Sequence, residues 1–301
     1  MAHLALGMSG FCLGQLSRAH AHVEQGIHLY DPQQHHALAF RYGTFDPGVA
    51  CLTFAGLTLW LLGYPDQALK RANEALTLAQ HLGHPYTLAR GLHYTTFLHQ
   101  LRREWQVVSE RAATVITVAT AQQIALMLAV GPIMRGWALA MQGQGAEGLT
   151  QLRQGLDAYR ATGAAFQRPH FLSMLAEVHS IMGQAEAGLT ALREALALVE
   201  KTGERYYEAE LYRLTGELLL QHAAPEVSHA EACFQQALNI ARCQQAKSLE
   251  LRAAMSLGRL WQQQGKRQEA RALLAPIYGW FTEGFDTADL QEAKTLLHAV
   301  S

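Results

Sequence analysis

One short pattern recurs from end to end of this sequence, and a chain that repeats itself has few folds open to it. The stretch Met182 to Leu196 carries a punctuating glycine (Gly183), a small residue (Gly188) and a closing Ala195-Leu196 pair. The closing position falls at Ile27, Leu76, Ile116, Leu156, Leu196, Leu238 and Tyr278. The spacing is forty residues, apart from a longer first interval and a slightly longer one before Leu238. The punctuating position reads Gly14, Gly63, Arg103, Gly143, Gly183, Pro225 and Gly265, and the small residue reads Ala19, Ala68, Val108, Gly148, Gly188, Ala230 and Ala270. Self-similarity at such a period means stacked supersecondary units that bury a core only against their neighbours.

Apolar-periodic segments flank each punctuating residue, so each unit reads as two antiparallel helices joined by a short turn. The expectation is all-α, a single domain over 1–301. Its repeats lie near 1–31, 48–82, 85–121, 124–162, 167–202, 206–243 and 247–281, with a capping helix at 286–299 that carries Leu290, Ala293, Leu296 and Leu297 on one face. The stops have chemical reasons. Asp31-Pro32 ends the second helix because a residue before proline avoids the helical region, and Asp46-Pro47 caps and starts the third. Gly83, Gly163 and Gly203 stand where left-handed caps close helices. Residues 32–47 form the longest connection, which accounts for the long first interval.

The bulk numbers exclude several function classes. With 24 basic and 25 acidic residues the formal charge is −1, which offers no electrostatic case for nucleic acid or an anionic membrane. No apolar run reaches the roughly 18 residues of a membrane span. The apolar first thirteen residues lack the basic start of an export signal. Cys12, Cys51, Cys233 and Cys243 form no CxxC and read as buried thiols of a reduced, cytoplasmic chain. The first helix has no cover for its outer face, with Leu4, Leu6, Met8, Phe11 and Leu13 following Met1 directly. That suggests further protein upstream, or pairing with a second copy through Leu6 and Phe11.

A second small residue precedes the first by about one helix: Gly7, Gly56, Thr96, Gly136, Ala176, Gly216 and Gly258. Residues with little side chain let two helix backbones approach closely. Together with the Ala-Leu pair, this arrangement resembles the tetratricopeptide (TPR) repeat, with helices longer than the usual period of 34. The resemblance implies a right-handed superhelix of about seven repeats.

Longer strings narrow it. Tyr30-Asp31-Pro32-Gln33-Gln34-His35, Asp46-Pro47-Gly48-Val49-Ala50-Cys51, Trp60-Leu61-Leu62-Gly63-Tyr64-Pro65, His99 to Trp105, Gln245 to Arg252 and Tyr278 to Thr287 are similar to the C-terminal TPR region of bacterial proteins that fuse a class III adenylate/guanylate cyclase domain to an AAA/STAND-type ATPase. What this implies is a sensor or scaffold arm with the ATPase and cyclase domains as upstream partners, and no catalysis in this chain.

Chemistry-bearing motifs are missing from the sequence. The only Gly-Lys, Gly265-Lys266, is followed by Arg267 and has Leu260 where a phosphate loop needs its leading glycine. There is no HExxH, GxSxG or calcium loop, and Gly7-Met8-Ser9-Gly10 misses the nucleophile elbow by one residue. The fifteen histidines include His20/His22, His35/His36 and His81/His84, but these do not supply three converging ligands, and they read as polar surface residues. Phe11, Trp60, Trp137, Trp261 and Trp280 are scattered and read as core or groove lining. No cofactor and no metal is expected.

In TPR proteins the concave groove is lined by residues flanking the small residue of each first helix, and the resemblance carries this over position by position. Around Thr96 it gives Arg90, His93, Phe97 and Gln100; around Gly136, Val130, Ile133 and Trp137; around Ala176, His170, Ser173, Glu177 and Ser180. Around Gly216 it gives Glu210, Arg213 and Glu217, and around Gly258, Arg252, Arg259 and Gln262. The implied groove runs from apolar to charged, and a protein or peptide ligand would pair with Arg213, Arg252 or Arg259. Two readings stay open for the charged end, because Glu210, Arg213 and Glu217 at helical spacing also pair with one another on a solvated face. Three functions follow: a peptide-binding arm, a small-molecule sensor similar to the helical arms of STAND-type transcription regulators with an apolar pocket near Phe97, Ile133 and Trp137, and a self-associating structural arm.

Overall fold

The computed structural model describes residues 1–37, 39 and 45–300, and all regular structure among them is helical. Seven helix pairs follow one another: α1 (Ala2–Cys12) with α2 (Leu16–His28), α4 (Pro47–Leu62) with α5 (Pro65–Leu82), α6 (Pro85–Leu101) with α7 (Trp105–Gln122), and α8 (Ala125–Met141) with α9 (Gly145–Ala161). Next come α10 (Arg168–Ile181) with α11 (Ala185–Thr202), α12 (Glu208–Gln221) with α13 (Val227–Cys243), and α14 (Lys247–Gln263) with α15 (Arg267–Tyr278). A final helix, α16 (Ala288–Ala299), buries Leu290, Ala293 and Leu296, while Leu297 is half-buried. The connection expected over 32–47 begins with a helical turn, α3 (Pro32–His35), capped by Asp31, whose Oδ1 accepts the Gln33 N–H at 2.9 Å. The rest of that connection at 38 and 40–44 lies outside the described residues.

The turn inside six of the seven pairs is set by a left-handed residue. Gly63, Gly143, Gly183 and Gly265 have φ of 95°, 88°, 70° and 80°, and Arg103 takes the same conformation at 62°. Proline cannot adopt it. The pair that carries Pro225 therefore turns through a longer loop, in which the Glu226 N–H donates to the Leu219 carbonyl at 3.2 Å. Between pairs, Gly83, Gly163 and Gly203 close helices with positive φ, Gln123 and Gln245 do so without being glycine, and Gln167 takes the same conformation as the residue that starts α10. Asp46 caps α4 through its Oδ1, which accepts the Gly48 and Val49 N–H groups at 2.8 and 3.1 Å.

The small residues do what their spacing demands. A Cβ on Gly136 would lie 2.6 Å from the Gly148 carbonyl oxygen, so α8 and α9 touch backbone to backbone. α14, the first helix of its pair, is enclosed on nearly all sides: every residue from Ser248 to Gly258 is buried. The second helix is amphipathic: α11 buries Ala185, Gly188, Leu192, Ala195 and Val199 and leaves Glu186 and Arg193 in water.

Contacts divide the chain into two compact units, residues 1–59 with 67–166, and 60–66 with 167–301. Within the first, Phe11 is fully buried and meets Phe54 edge-on at 5.4 Å, so it belongs to the core and not to an outer face. Leu6 and Leu13 of the same helix remain exposed, at 45% and 49%. Among the cysteines, Cys51 and Cys233 are buried, while Cys12 is half-buried and Cys243 is exposed, unlike the expectation for all four. No helix among the described residues is long and apolar enough to cross a membrane.

Candidate functional site

The expected groove residues divide between the two units. In the second, α12 and α14 bring Glu210, Arg213, Glu217 and Arg252 into one ionic network. Arg213 grips Glu210 with two parallel bonds, Nε to Oε2 at 2.9 Å and Nη2 to Oε1 at 2.8 Å, and its Nη1 reaches Glu217 at 3.3 Å and the Ser256 hydroxyl at 3.2 Å. Arg252 donates from Nε to Asp289 at 2.8 Å and from Nη1 to Glu210 at 3.4 Å, while its guanidinium lies 4.9 Å over the Trp60 ring. The Ser256 hydroxyl completes the set by donating to Glu217.

The charged end differs from a solvated face of paired side chains. The pairing exists, but it is interior: Glu210 is 1% exposed and Arg252 7%. Burial alone would lower the pKa of both arginines, yet Glu210 and Glu217 raise that of Arg213, and Asp289 and Glu210 raise that of Arg252, so both stay charged. Burial also pushes the Tyr207 hydroxyl well above its ordinary range, and Glu210 adds to the effect. A buried network of this kind holds a geometry more than it adds stability, since desolvation offsets most of its Coulomb gain. The elements that complete it, Asp289 in α16, Ser256 in α14 and Trp60 at the end of α4, carry no sequence signal that links them to Arg213 and Arg252.

The remaining predicted residues of this unit sit around the network. His170 is fully buried, 4.4 Å from the Tyr207 ring centre, and its carbonyl accepts the Ser173 hydroxyl at 2.7 Å. Glu177 is half-buried, as is Ser180, which donates to Gln221 at 3.0 Å. Arg259 stands apart from the other arginines: it pairs with Glu292 at 2.9 Å, and with Gln262, Gln291 and Thr295 it lines an open cleft of about 520 Å³ between α14 and α16.

In the first unit the corresponding positions of α8 are apolar or aromatic, while α6 mixes Phe97 with Arg90, His93 and Gln100. Phe97, Val130, Ile133 and Trp137 are at most 2% exposed and fill the core, and a Cβ on Gly155 would meet Ile133 at 2.7 Å. Arg90 bonds the Tyr94 hydroxyl at 2.6 Å and lies over the Phe45 and Tyr94 rings at 5.0 and 4.8 Å. His93 stacks on Phe97 at 6.5 Å, and Gln100 is buried.

Three polar clusters were invisible as such in the sequence. Asp46, fully buried, accepts the Tyr30 hydroxyl at 2.9 Å and sits 3.2 Å from His36 Nδ1; its N–H donates to Thr87, which contacts His84 at 2.8 Å. Burial and the charge of neighbouring His36 lower the His84 pKa. His36 and His84 are therefore half-buried members of a cluster, not simple surface histidines. The second cluster joins Glu104 to His99 and, at 2.7 Å, to Arg102; burial opposes ionisation of Glu104, but these partners hold its pKa low. In the third, Glu204 accepts the Gln167 N–H at 2.9 Å, at the start of α10. Burial pushes this carboxyl up to about 7 against the opposing pull of that hydrogen bond. Among the described residues no group of three or more His, Cys, Asp or Glu side chains is placed to hold a metal ion.

The distinctive strings prove to be contact sets. Tyr30 and Asp46 join the first two strings, and His99, Arg102 and Glu104 form a cluster inside the fourth. The third, fifth and sixth converge: Ser248 donates to the Trp60 carbonyl, Tyr64 lies 5.5 Å from Trp280, and Lys247 lies 5.6 Å over the Trp280 ring.

A tetratricopeptide repeat model matches residues 133–154 and 251–276, which contain the small-residue pairs Gly136/Gly148 and Gly258/Ala270. No curated protein sequence matches the chain significantly. Among solved structures the chain is similar to a Rap protein complexed with competence and sporulation factor, at 16% identity and a TM-score of 0.64, over 99% of this chain and 79% of that one. It is also similar to yeast Tom70, at 14% identity and a TM-score of 0.53, over 94% and 60%. At such identities the likeness is one of fold: an all-helical, TPR-like solenoid architecture.

Proposed function

We propose that this chain is a non-catalytic scaffold that binds a protein or peptide along the inner helices α10, α12 and α14, and that it serves as the cytoplasmic sensing arm of a signalling protein with ATPase or nucleotide-cyclase domains. The observation that carries the binding role is the half-buried layer of Glu177, Arg213 and Glu217 over a floor formed by the buried pair Glu210 and Arg252. An extended polypeptide offers N–H donors to the two carboxylates and carbonyl acceptors to Arg213, and the floor holds those side chains in place beforehand, which lowers the ordering cost of binding. The Rap protein of like fold was solved in complex with a factor, which supports a binding role for such an array. The tie to ATPase or cyclase domains rests on the resemblance of the strings alone.

The test is affinity capture from a source-cell lysate, followed by calorimetric titration of the captured polypeptide into the parent and into Glu177→Gln/Glu217→Gln. Weakening by about tenfold or more in a variant that keeps its helical spectrum is expected when hydrogen bonds to charged groups are lost. Unchanged affinity removes this face as the site, and failure to capture any polypeptide removes the binding role. A second reading, self-association, is favoured by the uncharged α1 with exposed Leu6 and Leu13. It requires a sedimentation coefficient that rises with concentration in the parent and not in Leu6→Glu.

A further inference from the structure

The turn between α4 and α5 is more than a repeat turn. Residues 60–66 belong with the second unit, and they meet its C-terminal segment through reciprocal bonds across more than two hundred positions of sequence. The Asp66 N–H donates to Glu283 Oε1 at 3.0 Å, and the Gly284 N–H donates back to Asp66 Oδ2 at 3.0 Å. Tyr64 lies against Trp280, which meets Phe281 edge-on at 5.3 Å. Gly63 leaves no spare room: a Cβ there would meet Trp280 at 2.6 Å and Lys247 at 2.8 Å. Deeper in, α14 holds Trp60 twice, by the Ser248 hydroxyl on its carbonyl and by the Arg252 guanidinium over its ring.

The contact is graded from outside to inside. Asp66 is exposed, Glu283 is half-buried and Trp280 is 36% exposed, whereas Trp60 is 3% and Arg252 7%. Hydrogen bonds at a wet edge open readily, while those of a core open only with the core itself. The innermost contact of the segment, Trp60 on Arg252, covers the guanidinium that anchors the floor of the proposed binding face.

We infer that residues 60–66 act as a strap: shut, they lay Trp60 over Arg252 and close the Arg252–Glu210–Asp289 floor; released at the Asp66–Gly284 edge, they uncover Arg252 for an anionic group of a bound polypeptide. This rests on the proposed binding face for its use, but the strap can be tested with no ligand present. Two glycines provide a matched pair. Gly63 and Gly143 stand at the same position of two repeat turns, with φ of 95° and 88°. A Cβ on the first strikes the strap contact, and a Cβ on the second meets nothing within 4 Å.

The experiment is phenylglyoxal labelling of arginines, read by peptide mass mapping, in the parent, Gly63→Ala, Gly143→Ala and Asp66→Ala. Arg259, 42% exposed, reports reagent activity, and Arg102, buried in the first unit, reports global unfolding. Labelling of Arg252 is expected to rise about tenfold in Gly63→Ala and about threefold in Asp66→Ala, with Gly143→Ala like the parent and Arg102 protected throughout. Equal labelling of Arg252 in Gly63→Ala and Gly143→Ala overturns the strap. So does a rise in which Arg102 follows Arg252 in Asp66→Ala, because the segment would then open only with the whole fold.

Discussion

The residues three before and one after the small residue of a first helix occupy matching positions in α8 of the first unit and α12 of the second, and there they have opposite natures. Around Gly136 they are Ile133 and Trp137, sealed in an apolar core; around Gly216 they are Arg213 and Glu217, tied to Glu210 and Ser256. The backbone is the same in kind, so the difference lies in what each interior requires of its neighbours. An apolar interior needs matched volume. An ionic interior needs every partner present, because a charge left alone out of water is costly.

The largest test of that contrast separates charge from volume. Glu210→Gln keeps the shape and removes the charge that both arginines share, and it should cost nearly as much as Glu210→Ala, about 3–5 kcal/mol by urea denaturation. At the apolar position the order reverses. Trp137→Ala should cost about 3–5 kcal/mol and Trp137→Phe much less, since the ring keeps most of the buried area.

A somewhat smaller effect comes from Glu204, a buried carboxylate of the second unit that accepts the backbone N–H of Gln167. Its pKa rises from 4.5 unfolded to about 7 folded, so folding favours the protonated form. The cost of ionising it is absent below 4.5, grows as pH rises between the two values, and is complete above 7. Glu204→Gln should therefore match the parent in stability near pH 4.5 and exceed it by up to roughly 3 kcal/mol at pH 8. A parent whose stability does not fall across that window, relative to the variant, would show that the carboxyl is better solvated than its burial implies.

The smallest effects test the close approach of helices. Gly136→Ala forces a methyl against the backbone of α9 and should destabilise by about 1–3 kcal/mol. Gly258→Ala has its nearest neighbour at 3.5 Å, the end of the Leu296 side chain, and should be neutral or stabilising by about 0.5–1 kcal/mol, as alanine is the better helix former. Similar losses at both sites would mean that small residues serve some need other than backbone contact.

The helix pairs were legible because their signals are local. Punctuating glycines mark left-handed turns, small residues mark close approach, and the Asp46-Pro47 start is a cap that needs no distant partner. The charged end of the groove was legible only by half. Glu210, Arg213 and Glu217 announce their pairing by helical spacing, but their burial depends on Ser256, Arg252 and Asp289, which come from helices dozens of residues away. The strap was legible in a different sense: the strings around Trp60, Ser248 and Trp280 stood out as more than TPR, yet nothing in one string says that it touches another. Phe11 shows the converse: an apolar residue in a first helix fits the core and an outer face equally well in sequence, and only the fold turns its side chain inward onto Phe54.

The measurement that tests the account most directly is a double-mutant cycle across Arg252 and Asp289, the 2.8 Å pair that joins α14 to the final helix. If the second unit's interior is held by mutual pairing, Arg252→Met and Asp289→Asn will each destabilise, and together they will cost less than their sum by at least about 1.5 kcal/mol. Additive losses, with a coupling near zero, would mean that these charges do not depend on one another, and that the buried network is not what organises this half of the molecule.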